Sequence, residues 1–136
     1  MAAAPVNVGS RLSDDVEVFR AFAEKSYRRR AQNQVRYLAY LLREEDIQDG
    51  LSVGLTPRGA VRHLNSNEGF CRILVGTIHG LPYGLEVRAD PNDGEHAFIF
   101  NLPLGTISDA ELERARLIAG ALARASQIVT CDPYIP

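Results

Sequence analysis

Five side chains in this chain have the chemistry to hold and process a phosphorylated ligand: Arg43, Ser52, Thr56, Glu95 and His96. An arginine forks onto phosphate oxygens through parallel N–H donors. The hydroxyls of Ser52 and Thr56 can orient a ribose or the arginine itself. A carboxylate at Glu95 can stabilise positive charge developing at a sugar carbon, and His96 beside it is the second candidate catalytic group. Together they describe a nucleotide-handling cleft, provided the fold brings them to one place. Each also has a structural alternative: Arg43 in a surface pair with Glu44 or Glu45, Ser52 as a solvent-facing strand residue, Thr56 as a helix cap, Glu95 as an exposed turn residue.

Other chemistries lack their spacing. His63, His79 and His96 are expected on a helix, a loop and a strand, without the i,i+4 pair or local carboxylates of a zinc site, so no metal is expected. The serine-hydrolase GxSxG, the P-loop and the dinucleotide GxGxxG are all absent. A second cluster is basic: Lys25, Arg28, Arg29, Arg30 and Arg36, with Tyr27 and Tyr37 available to stack on bases. It reads as a nucleic-acid contact, or as the solvated basic end of a helix, where cations complement the dipole.

The elements that must position these groups follow from periodicity and turn chemistry. Residues 1–12 read as a flexible lead-in to a single domain over 13–136. Asp14 and Glu17 have capping-box-like spacing, and Val16, Phe19, Phe22 and Ala23 recur at helical intervals, which predicts a helix from about Asp14 to Tyr27. Residues 35–44 fit a helical stripe and a strand face equally well. Leu51, Val53 and Leu55 alternate as a strand, and Thr56-Pro57 caps a short helix carrying Ala60, Val61 and Leu64 inward. Further strands are expected over 71–78, 84–88 and 96–102, with turn residues at 90–95. Ser108 to Glu111 is a capping box opening a helix to about Ser126, with Leu112, Ala115, Ala119 and Leu122 facing the core. Gln127 to Thr130 could add an edge strand. Consecutive strands joined by short turns predict an α+β domain: a short, mainly antiparallel curved sheet packed by an N-terminal, a central short and a C-terminal helix.

Bulk properties agree with one globule. The chain has 136 residues, 46% hydrophobic and 24% charged, with a formal net charge of -2. Such a balance argues against an extended electropositive surface, though a local basic patch remains open. No stretch approaches a membrane span, and Cys71 and Cys131 lack a ligand pattern, so reduced thiols in a cytoplasmic protein are expected.

The combination DGLSVGLTPRGAV, ILVGTIHGLPYGLEVRADP and EHAFIFNLP resembles a family of small uncharacterised bacterial proteins, cyanobacterial ones among them, over residues 38–103. More distantly, the order of an arginine, a Ser-bearing strand leading into a helix, and a late acidic position resembles ADP-ribosyltransferase-type domains. That resemblance implies that Arg43 holds NAD as a substrate, that Ser52 supports the cleft, and that Glu95 promotes loss of nicotinamide. Where those domains carry Ser-Thr-Ser, this chain has Ser52-Val53-Gly54. The expectation is an NAD-dependent transferase, used as a toxin-like effector. A non-enzymatic module binding a protein partner, or a second copy of itself, through a sheet edge or the last helix is the alternative.

Overall fold

The described residues of the computed structural model are 9–43, 50–104 and 109–136. The first regular element is a strand, β1 (Glu17–Ala21), where the sequence predicts a helix from Asp14 to Tyr27. The apolar spacing there fits both periods. What favours the strand is the β-branched and aromatic content of Val18, Phe19 and Phe22, together with partners on both sides: β1 lies between two other strands of the sheet. The expected capping box has no helix to cap, and the Asp14 carboxylate bonds His79. Lys25–Tyr27 forms a 3-10 turn, followed by a two-strand ribbon of β2 (Arg28–Arg29) and β3 (Gln34–Val35).

Within the ambiguous 35–44 stretch, described as far as 43, Tyr37–Tyr40 forms a second 3-10 turn. Burial explains it. Ala39 and Tyr40 are fully buried, and the Tyr40 hydroxyl is satisfied by Ser126 Oγ at 2.6 Å and Cys71 Sγ at 3.3 Å. Leu42 then makes an isolated parallel bridge to Leu104.

β4 (Leu51–Gly54) and α1 (Pro57–Val61) follow as expected, with the Gly59 N–H donating to Thr56 Oγ1 at 3.0 Å and proline in the first turn. β5 (Phe70–Leu74) is shorter than the expected 71–78 strand, because Val75–Gly80 is a helix, α2. The switch is made by backbone bonds from Val75 N–H to Val16 and from Gly76 N–H to Asp14. Val75 and Ile78 remain buried, so the apolar run is a core signal that does not distinguish strand from short helix. β6 (Glu86–Ala89), β7 (His96–Phe100), α3 (Asp109–Ala125) and β8 (Gln127–Thr130) complete the chain. The proposed cap of α3, Ser108, lies outside the described residues, as do Glu44 and Glu45.

The main sheet has the order β6-β7-β4-β1-β5-β8, antiparallel throughout. The fold is therefore mixed α+β, as expected, but its N-terminal segment joins the sheet and does not cover it. Register places Leu51 opposite Ile99 and Val53 opposite Ala97, and all four are buried on one face. The Tyr37–Tyr40 turn packs on α3, whose buried stripe is Ala115, Ile118, Ala119, Leu122 and Ala123; Leu112 is only half-buried. Residues 10–12, read from sequence as lead-in, run beside β6: Leu12 N–H donates to Val87 O and Ala89 N–H to Ser10 O, each at 2.9 Å. That covers an edge strand, which would otherwise offer free amides. No helix among the described residues is long and apolar enough to cross a membrane.

On the opposite face, α1 packs against β4 and β1. Two glycines let it approach. A Cβ at Gly54 would collide with the backbone of Ala60, and one at Gly59 with the carbonyl of Glu95. Only hydrogen fits at these contacts.

Candidate functional site

Alternation along β4 sends Ser52 to the face opposite Leu51 and Val53. Register pairs Ser52 with Phe98 and Gly54 with His96, so Ser52 and His96 are diagonal neighbours on that face. Their side chains meet: Ser52 Oγ lies 2.5 Å from His96 Nε2. The other ring nitrogen, Nδ1, is 3.1 Å from Asp90 Oδ2. Asp90 and His96 flank the 90–95 turn and are further joined by Asp90 N–H to His96 O at 3.0 Å.

Proton positions follow from the partners. An ionised carboxylate only accepts, so with neutral imidazole Nδ1 carries the hydrogen, Nε2 accepts, and the Ser52 hydroxyl donates to it. The order of groups is the one a nucleophile, its base and an orienting acid require. His96 is 5% exposed, with Phe98 edge-on at 4.7 Å and His63 at 5.7 Å between ring centroids. Burial holds its pKa below the ordinary imidazole value, against the opposing pull of Asp90. A neutral, proton-accepting ring is favoured at neutral pH.

Beside Ser52 is a cavity of about 270 Å³ whose polar lining is Arg20, Tyr27, Arg43, Ser52 and His63. Ala60 of α1 forms part of its wall, which is where the close approach at Gly54 matters. Arg43 Nη2 donates to Tyr27 Oη at 2.8 Å, and its guanidinium carbon sits 5.6 Å from the centroid of that ring. Arg20 is held by bonds to Ala39 O at 2.6 Å and Ser52 O at 2.8 Å. Two fixed cations therefore share a small hollow with a hydroxyl that donates to a base.

Of the five residues singled out by type, Arg43 and Ser52 line this cavity and His96 is bonded to Ser52. Glu95 and Thr56 do not line it. The Glu95 carboxylate takes a two-pronged bond from Arg58, Nη2 at 2.6 Å and Nε at 3.1 Å, one from Arg62 at 3.2 Å and one from Thr56 Oγ1 at 3.1 Å. Arg58 holds its pKa below the usual carboxylate range. Glu95 thus ties the β6–β7 turn to the start of α1, and Thr56 serves both as cap and as link.

The basic cluster divides. Arg28 is buried and bonds the carbonyls of Glu68 and Cys131, with the Glu68 carboxylate at 3.6 Å. Arg30 bonds Cys131 O at 2.8 Å and Asp132 at 2.6 Å. Lys25 is exposed, and Tyr27 is buried against Arg43. Arg29 and Arg36 belong to a separate groove. Three participants in the cavity region escaped the reading by type: Asp90, His63 and Arg20. The available signal for Asp90 was its place at the far end of a turn from His96, where a hairpin makes the flanking residues cross-strand neighbours. No group of three or more metal-binding side chains occurs among the described residues. No family model, curated protein or solved structure matches the chain.

Proposed function

We propose that Ser52, His96 and Asp90 form a nucleophilic centre that hydrolyses an ester of a small, phosphate-bearing ligand of about nucleotide size. The observation that carries this reading is the unbroken relay from Asp90 through His96 to a serine hydroxyl on the wall of an arginine-lined cavity.

In the first step His96 Nε2 takes the Ser52 proton as Oγ attacks the ester carbonyl. Negative charge develops on the carbonyl oxygen within reach of the Arg43 and Arg20 field, which stabilises it more strongly in a confined site than in water. Collapse expels the alcohol, which receives the proton from His96. Water then attacks the acylated Ser52 with His96 again as base, releasing the acid and restoring the hydroxyl. Asp90 keeps the ring in the required tautomer and orientation.

Arg43 supports a phosphate on the ligand, since its planar fork is already oriented by Tyr27. The NAD-dependent transfer suggested by resemblance shares Arg43 and Ser52 but draws its carboxylate from Glu95, which Arg58 and Arg62 already engage. Serine chemistry has the stronger support.

A fluorophosphonate probe followed by peptide mass mapping tests the proposal, with nitrophenyl-ester turnover and nicotinamide release from NAD measured on the same preparations. The expected result is labelling of Ser52, lost in Ser52→Ala, strongly reduced in His96→Gln and retained in Glu95→Gln. Nicotinamide release abolished by Glu95→Gln but not by Ser52→Ala would replace it with the transferase reading. A folded protein that neither labels nor turns over any ester would end it.

A further inference from the structure

The groove between the β2–β3 ribbon and α3 has a volume of about 300 Å³ and is lined by Arg29, Gln34, Arg36, Tyr37, Gly120 and Arg124, with Val35 and Ala123 at its base. Three of these side chains are guanidinium groups, and none of the described residues lining the groove carries a carboxylate. A fourth, Arg116, lies 5.8 Å from the centroid of the Tyr37 ring. Arg29 and Arg36 belong to a basic run in the sequence; Arg124 joins them in the lining only through the fold, and Arg116 approaches from beside Tyr37 without lining the groove.

The charge here departs from the rest of the molecule. The chain as a whole is slightly acidic, at -2, and its other arginines commonly face carboxylates: Arg28 with Glu68, Arg30 with Asp132, Arg58 and Arg62 with Glu95, Arg72 with Glu17, Arg88 with Glu86. Arg36 Nη1 donates to Ser26 O at 3.1 Å, which fixes the side chain while using one of its five N–H donors. Like charges gathered with no carboxylate among the described lining residues repel one another, and an anion laid between them removes that repulsion.

We propose that this groove binds the phosphate backbone of single-stranded nucleic acid, independently of the Ser52 cavity. Guanidinium forks match phosphate oxygens. Tyr37 supplies an aromatic surface on which a base stacks, and the Gln34 amide offers a donor and an acceptor to a base edge. An acidic peptide would use the arginines but has no need of Tyr37 or Gln34. The volume is of the order of a single nucleotide.

Fluorescence anisotropy with labelled oligo-dT and oligo-U at low and moderate salt tests the site, with a duplex, poly-glutamate and anionic phosphatidylserine vesicles as competing probes. Arg29 and Arg124 are exposed, so their alanine variants should keep the wild-type melting curve. Single-strand binding is expected to weaken about tenfold in the double variant, and the slope of log affinity against log salt to fall by about 0.7 for each phosphate contact removed. Tyr37→Leu, which keeps an apolar side chain but removes the ring, should also weaken binding, whereas Ser52→Ala should not. No single-strand binding at low salt overturns the proposal. So does poly-glutamate or vesicle binding of equal strength that is indifferent to Tyr37→Leu.

Discussion

His79 and His96 are two versions of one arrangement. Each ring has Nδ1 on an aspartate, Asp14 at 2.9 Å and Asp90 at 3.1 Å, and each side chain is almost wholly buried. They differ at the other nitrogen. His79 Nε2 accepts the backbone N–H of Val87 at 3.0 Å, a proton that belongs to a peptide group and stays there. His96 Nε2 meets the Ser52 hydroxyl, whose proton can leave. The aspartate–histidine pair alone is thus a structural strut linking α2, the segment before β1 and β6. On the proposed reading, it becomes chemical machinery only where the third partner is a hydroxyl next to open space.

The sharpest way to break the comparison is to remove each ring, and the partner that orients it, in turn. His96→Gln should reduce ester turnover by roughly 10³- to 10⁴-fold, since loss of a base in such a unit disables the whole unit, while the melting curve shows whether the sheet survives. Asp90→Asn should lower turnover by about 10²-fold or more by favouring the wrong tautomer. His79→Leu should leave turnover per folded molecule unchanged but destabilise the protein by about 2 kcal/mol in urea titration, because the Val87 N–H loses its acceptor. If His79→Leu abolished turnover with normal stability, the distinction drawn between the two rings would fail.

Smaller effects sharpen it. Burial lowers the His96 pKa, so the ring stays neutral somewhat below the ordinary value of about 6.5. The acid limb of a pH–rate profile should therefore lie below that value. For stability, a lowered pKa means that the unfolded chain takes up the proton first. This contribution is whole above about pH 6.5 and is lost as pH falls through the folded-state pKa. The smallest effect belongs to Thr56→Ala, which removes the α1 cap for a cost of about 1 kcal/mol.

Much of the fold was legible where the signals are local. The Thr56-Pro57 cap, the 90–95 turn and the apolar stripe of α3 each need only a few neighbouring residues. β1 was not legible, because Val16, Val18, Phe19 and Phe22 satisfy helical and extended patterns alike, and what selects between them is pairing with β4 and β5. The same limit applies to the site. Ser52, His96 and Arg43 stood out by chemical type, and the β4–β7 register unites the first two. Glu95 stood out equally, yet its partners Arg58 and Arg62 come from α1 and the turn after it, and nothing in a linear reading marks that carboxylate as engaged. Arg28 and Arg30 were likewise bound by Cys131 and Asp132 from the far end of the chain.

The central place of β1 also sets an order of events during synthesis. Phe19 must wait for Gly54, and Ala21 for Phe70, so β1 leaves the ribosome lacking either neighbour. Until residues 70–74 emerge, Val18 and Phe22 are exposed bait for chaperones or for other unfinished copies, and contacts this distant in sequence are slow to close. A stalled or truncated product ending before β5 would accordingly be expected to aggregate, whatever the finished protein does.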